Sequence, residues 1–156
     1  MYTINFNTQR LIAEVERNVS IALNEVGKGL VEYIRNSMAP GGGKVYKYKT
    51  RSHQASAPSQ PPSPESGRLK DSITWATSFG TRSNPGGSAQ PGDGVGKPET
   101  VVGFQSVVVG SNVPYALSME LGQKGKTGRF RTRARPYLWP ALKKNRELIK
   151  KAFTRV

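Results

Sequence analysis

The chain has no cysteine among its 156 residues. That excludes disulfides, thiolate metal sites and thiol nucleophiles, and leaves packing or assembly as the source of stability. There is one histidine, His53, set in a Pro- and Ser-rich stretch without a cysteine or carboxylate beside it, so neither a metal centre nor a general base has its partners. No apolar run approaches the roughly 18 to 20 residues that cross a bilayer, and no membrane partner is implied. The opening "MYTINFNTQR" lacks the basic and apolar regions of a secretory signal, so the chain reads as made in the cytoplasm. Acidic residues are scarce, 10 against 24 lysines and arginines, for a formal net charge of +14. Copies of such a chain repel one another unless something negative compensates: nucleic acid, an acidic protein face or an anionic membrane surface, the last not carried into the expected partners.

What is present fits one domain over residues 1–156. With 35% hydrophobic residues, 17 glycines, 11 prolines and a mean hydropathy of −0.54, it is a globular body with a modest core and much irregular chain. From 9 to 38, Ile12, Val15, Val19, Leu23, Val26, Leu30 and Ile34 recur at steps of three or four, which predicts one long amphipathic helix packed on a sheet. Asn7 or Thr8 can cap its start, and "APGGG" at 39–43 ends it. Residues 44–67 begin basic and aromatic, then become Pro- and Ser-rich, and the region of about 40–67 reads as an extended arm or surface loop unable to bury itself. "RLKDSITWATSF" alternates Leu69, Asp71, Ile73 and Trp75 against their neighbours as a half-buried strand does. A long hairpin loop at about 80–98 leads to "TVVGFQSVVVGSN", one or two strands antiparallel to the first. "YALSMEL" suits a short helix closed by Gly122, "RFRTRAR" returns to a period of two, and Leu138, Leu142, Ile149 and Phe153 mark a C-terminal helix with Pro140 in its first turn. The expected class is α+β: a long N-terminal helix on a small, mainly antiparallel single sheet, with a C-terminal helix and long irregular loops.

Enzyme signatures fail individually. "GDGVGKP" imitates a phosphate loop, but Pro91 stands where its first glycine belongs and Pro98 where its hydroxyl residue belongs. Neither a nucleophile elbow nor a metal-binding helix motif occurs. Glu120 is the one carboxylate in a distinctive segment, and an ion pair with a nearby arginine at a helix end is its expected role. No catalytic residue, cofactor-binding residue, metal ligand or cofactor is expected.

Half the positive charge, 12 of 24 residues, lies between Lys124 and Arg155, with Glu147 the only acidic residue among them. In an extended segment Arg129, Arg131, Arg133 and Arg135 would share one face at intervals of about 7 Å, opposite Phe130, Thr132 and Ala134. Such a row can bind carboxylates or phosphates bidentately, or simply keep a sheet edge soluble.

Three ordered segments carry a resemblance. The first holds Gly67, Leu69, Ser72 and Ile73; the second Val109, Gly110, Ser111, Tyr115, Ala116, Glu120 and Gly122; the third Ala134, Arg135, Pro136, Tyr137, Leu138, Pro140 and Ala141. Their order after an N-terminal helix resembles the tail-completion family, minor tail or neck proteins of long-tailed bacteriophages, with Gln123 and the long 80–98 loop as departures. Most of these residues read as scaffold: Gly110 and Ser111 turning out of a strand, Tyr115 and Leu121 packing the short helix, Pro136 and Pro140 fixing the start of the last one. The resemblance implies a structural virion protein in a hexameric ring at the head–tail junction, without a catalytic site. Its partners would be further copies of itself, the adjoining neck or connector proteins, and tail-tube or tail-terminator proteins. Non-specific contact with genomic DNA is open. The arms would order on assembly, and the Arg row would meet acidic protein. The alternative is a small basic protein that binds nucleic acid without sequence specificity, as the pI of about 10.4 allows.

Overall fold

The computed structural model describes residues 7–39, 41–95, 105–128 and 130–154. It has an α+β architecture dominated by one long helix, α1 (Thr8–Ser37). Of the two candidate caps, Asn7 caps α1, its Oδ1 accepting from the Arg10 N–H at 3.1 Å, and Thr8 is the first helical residue. The stripe Val19, Ala22, Leu23, Val26, Leu30 and Ile34 is buried. Gly27 sits within this face because a Cβ there would lie 2.8 Å from the Trp75 indole. The missing side chain lets a strand's tryptophan lie flat on the helix, which offsets the entropic cost of glycine in a helix interior.

Two apolar clusters hold the body together. Val31, Ile34, Met38, Leu69, Ile73, Val113, Ala116, Tyr137 and Ala141 form the larger, and Ala22, Val26, Leu30 and Ala152 form the smaller along the same helix.

The described strands do not make one sheet. They form three antiparallel two-stranded ribbons: β1 (Gly42–Lys47) with β2 (Ser52–Ser56), β3 (Thr74–Thr77) with β4 (Val107–Gly110), and β5 (Gln123–Lys124) with β6 (Phe130–Thr132). The cause lies at β3. After it the chain turns at Gly80, and residues 81–83 bond back onto its free edge (Thr77 N–H to Thr81 O at 2.8 Å, Ser83 N–H to Trp75 O at 2.9 Å), occupying the place a third strand would take.

Several expectations are corrected. Residues 68–72 are not strand but a helical turn, α2 (Arg68–Ser72), started by Gly67 at φ +81° and held by the Ser72 hydroxyl donating to Leu69 O at 2.7 Å. Residues 42–56 are a hairpin, bulged between Gly42 and Val45, rather than a loose arm. The Pro-rich chain behind it is also fixed, with Pro62 buried and the Ser59 N–H on Ala134 O at 3.0 Å. The predicted single C-terminal helix is two, α4 (Leu138–Lys144) and α5 (Arg146–Thr154). Asn145 lies between them, its backbone N–H (3.0 Å) and its side-chain amide (2.8 Å) both donating to Ala141 O. The stretch after β3 is irregular, as expected, but tethered. The Arg68 guanidinium makes two 2.9 Å bonds to Asp93, Asp71 accepts the Ser88 N–H at 2.8 Å, and Asn112 takes the Gly94 N–H at 2.8 Å. The first part of the expected "TVVGF" strand, residues 100–104, lies outside the described residues, as do Gly96, Lys97 and Pro98 of the loop resembling a phosphate loop.

Candidate functional site

The short helix α3 (Ala116–Leu121) ends at Gly122 with φ +74°. A Cβ there would lie 2.8 Å from Ala134 N, so glycine both makes the turn and lets the returning chain pass. That chain is then fastened by the Arg135 N–H donating to Met119 O at 2.7 Å.

Glu120 occupies the corner. Its Oε2 accepts the N–H groups of Tyr137 (2.8 Å) and Leu138 (3.0 Å), and its Oε1 accepts that of Trp139 (3.0 Å). The next residue, Pro140, has no N–H to satisfy. One carboxylate and one proline thus account for the donors that the first turn of α4 would otherwise leave orphaned. This replaces the expected ion pair: Glu120 is a capping group supplied from another helix, and both its oxygens are engaged. Tyr137 stands fully buried beside it, its hydroxyl donating to Ala116 O at 3.5 Å, and burial pushes its phenol well above the ordinary range.

The first two segments meet in the same manner. The Ser72 and Ser111 hydroxyls lie 2.7 Å apart, and Ser111 Oγ accepts the Val113 N–H at 3.1 Å. Leu69 and Ile73 enter the core, Gly110 closes β4, and Pro136 and Leu138 are half-buried around Tyr137. The motif residues are therefore mostly one connected scaffold. Of the two residues expected to pack α3, Leu121 does not, being 66% exposed, and Tyr115 does so only in part at 39%, while Ala116 and Met119 supply the main contacts.

No family model, curated protein or solved structure matches the chain.

The arginine row is not a continuous ridge. The strand at this place spans only Phe130–Thr132. Arg129 lies outside the described residues, and of Arg131 only the backbone is described. Arg133 is exposed, but Arg135 turns inward and its Nε donates to Ser56 O at 3.3 Å. The extended pattern fails because residues 133–137 leave the ribbon to meet α3. Positive charge gathers elsewhere as well. The β1–β2 hairpin presents Lys44, Lys47, Lys49 and Arg51, all exposed, together with Tyr46 and Tyr48. Lys44 stands 5.4 Å from the Tyr46 ring centre and Arg51 5.2 Å from that of Tyr48. Arg51 also pairs with Glu65 at 3.0 Å. The signal for this surface was the alternation in "KVYKYKT", hidden by the Pro/Ser run that follows. A second cationic face runs along α4 and α5 through Lys143, Lys144, Arg146 and Lys151.

The apolar surface is the other feature missed from sequence. Residues 7–17 are all exposed, so α1 projects beyond the body with Leu11 (45%), Ile12 (53%) and Val15 (44%) bare. At 3.6 residues per turn these three continue the stripe that is buried from Val19 onward. Between α1, β4 and α4 lies an apolar cleft of about 390 Å³, lined by Leu30, Ile34, Val109, Leu138, Trp139 and Leu142 among others. Among the described residues no group of three His, Asp or Glu gathers as a metal-binding cluster. No described helix is long and apolar enough to cross a membrane.

Proposed function

We propose that the chain is a structural virion protein of a tailed phage, one subunit of a hexameric ring at the head–tail junction that helps join tail to head and leaves a channel for DNA. The ordered segments support this reading, since the residues that carry the resemblance bond to one another: Ser72 to Ser111, and Glu120 to the amides of 137–139. The observation that carries it is the unfinished apolar surface. Leu11, Ile12, Val15, Leu117, Leu121, Trp139 and Leu142 are all well exposed, and those grouped on α1 and at the cleft rim are the kind of apolar surface that a partner covers. The virion of an assembled phage is then its place of work, and the neighbouring neck and tail proteins its partners.

The test is the state of the purified protein and its presence in particles. Rings in negative-stain images, together with the protein in purified tails, are expected. A strictly monomeric protein that is absent from tails contradicts the assignment.

The basic, tyrosine-bearing hairpin favours a second reading, a small protein that binds nucleic acid through charge and stacking without sequence specificity. Salt-sensitive, stoichiometric binding of duplex DNA by a monomer distinguishes it.

A further inference from the structure

On the strength of the ring reading above, we propose that the bare stripe of α1, formed by Leu11, Ile12 and Val15, seats in the Leu30–Leu138–Trp139–Leu142 cleft of a second copy of this chain. The contact is head-to-tail: each copy offers its projecting helix to one neighbour and its cleft to the other.

The geometry excludes the intramolecular solution. The cleft is lined by Leu30 and Ile34 of the same helix, and α1 is unbroken from Thr8 to Ser37. Ile12 and Leu30 are 18 residues apart along the chain, about 27 Å on a straight helix. The stripe cannot fold back onto its own cleft, so if this stripe fills such a cleft, the cleft belongs to another copy.

Charge selects the same pairing. In a chain of net charge +14, contact between copies is least repelled where both faces are neutral. The projecting turns carry Arg10 and Arg17 against Glu14 and Glu16, which cancel. Among the described residues the cleft has one charged group on its wall, Glu120, whose oxygens already accept amide N–H groups. By contrast, the hairpin around Lys44–Arg51 and the outer face of α4 and α5 are cationic and would repel a second copy. The two neutral apolar surfaces are also of complementary form, a ridge of aliphatic side chains and a cleft with Trp139 62% and Leu142 44% exposed at its rim. A contact between two different patches repeats from copy to copy, and it closes into a ring when the rotation allows.

Because the chain has no cysteine, single engineered thiols report without interference. Ile12→Cys and Leu142→Cys are prepared separately, mixed and oxidised. The mixture is expected to form disulfide dimers at least ten times faster than either variant alone, and the double variant to give a ladder of covalent multimers. Ile12→Asp is expected to weaken assembly at least 100-fold while leaving the melting temperature of the dissociated protein unchanged, because the residue is exposed there. Efficient self-linking of Ile12→Cys alone overturns the head-to-tail pairing in favour of a symmetric one. Rings that persist without the mixed disulfide, or with Ile12→Asp, overturn this contact and leave the ring reading intact. A protein monomeric at every concentration overturns both.

Discussion

Replacing Glu120 tests whether one side chain holds the α3–α4 corner. Alanine there strands the N–H groups of Tyr137 and Leu138, both in partly buried positions, whereas the more exposed Trp139 N–H can turn to water. A stranded, partly buried donor costs about 1–3 kcal/mol. The cleft beside the corner is open enough for some rehydration, so Glu120→Ala should destabilise by about 3 kcal/mol, a fall in melting temperature of roughly 6–12 °C for a chain of this size. Glutamine keeps one carbonyl oxygen able to accept two of the bonds and loses the charge at the helix start, for about 1 kcal/mol. Thermal and urea unfolding followed by circular dichroism, at one concentration low enough to keep the protein dissociated, measures both. Equal stability of the alanine variant and the parent, within about 0.5 kcal/mol, or equal losses for alanine and glutamine, would refute the capping role.

Gly27→Val drives two methyl groups into the Trp75 ring and should cost about 2–3 kcal/mol in urea unfolding; an unaffected variant would mean that the indole moves aside freely. The tethered stretch after β3 should respond to acid. Hydrogen bonding from the Ser88 N–H holds the Asp71 carboxyl below its usual range, and the Arg68 guanidinium does the same for Asp93. A depressed carboxyl stabilises the folded form above its unfolded pKa, about 3.9, and the contribution disappears as pH falls through the lowered values. Protection factors at the Ser88 and Gln90 amides, which bond to these carboxylates, should therefore hold at pH 5 and fall only below the ordinary carboxylate range. Loss of protection between pH 6 and 5 would contradict the assignment.

Periodic features were legible before the structure. The three-and-four spacing from Ile12 to Ile34 marks α1, Asn7 marks its start, and the β-branched run before Gly110 marks β4. Gly122 announces the end of α3 because its left-handed conformation has few alternatives. What stayed hidden depends on long-range partners. Leu69 and Ile73 fit a strand by alternation, but Gly67 and the Ser72 hydroxyl turn that segment into α2. Arg135 matches its three neighbours at period two, yet Ser56, 79 positions away, draws it inward. Glu120 was distinctive without a legible role, since its three donors come from the cap and first turn of a helix that begins 18 residues later at Leu138. Likewise the periodicity of α1 gives no sign of where the body stops covering it. Ile12 and Val26 follow one pattern, and only the first is bare.

The placement of the chain's two tryptophans divides its intrinsic fluorescence between two events. Trp75 is half-buried and packed against Gly27, so its emission follows unfolding. Trp139 sits 62% exposed on the cleft rim, within reach of acrylamide until something covers it. With Trp139 changed to Phe, the remaining emitter registers the integrity of the individual subunit; with Trp75 changed to Phe, quenching becomes a label-free gauge of how much of the cleft is occupied.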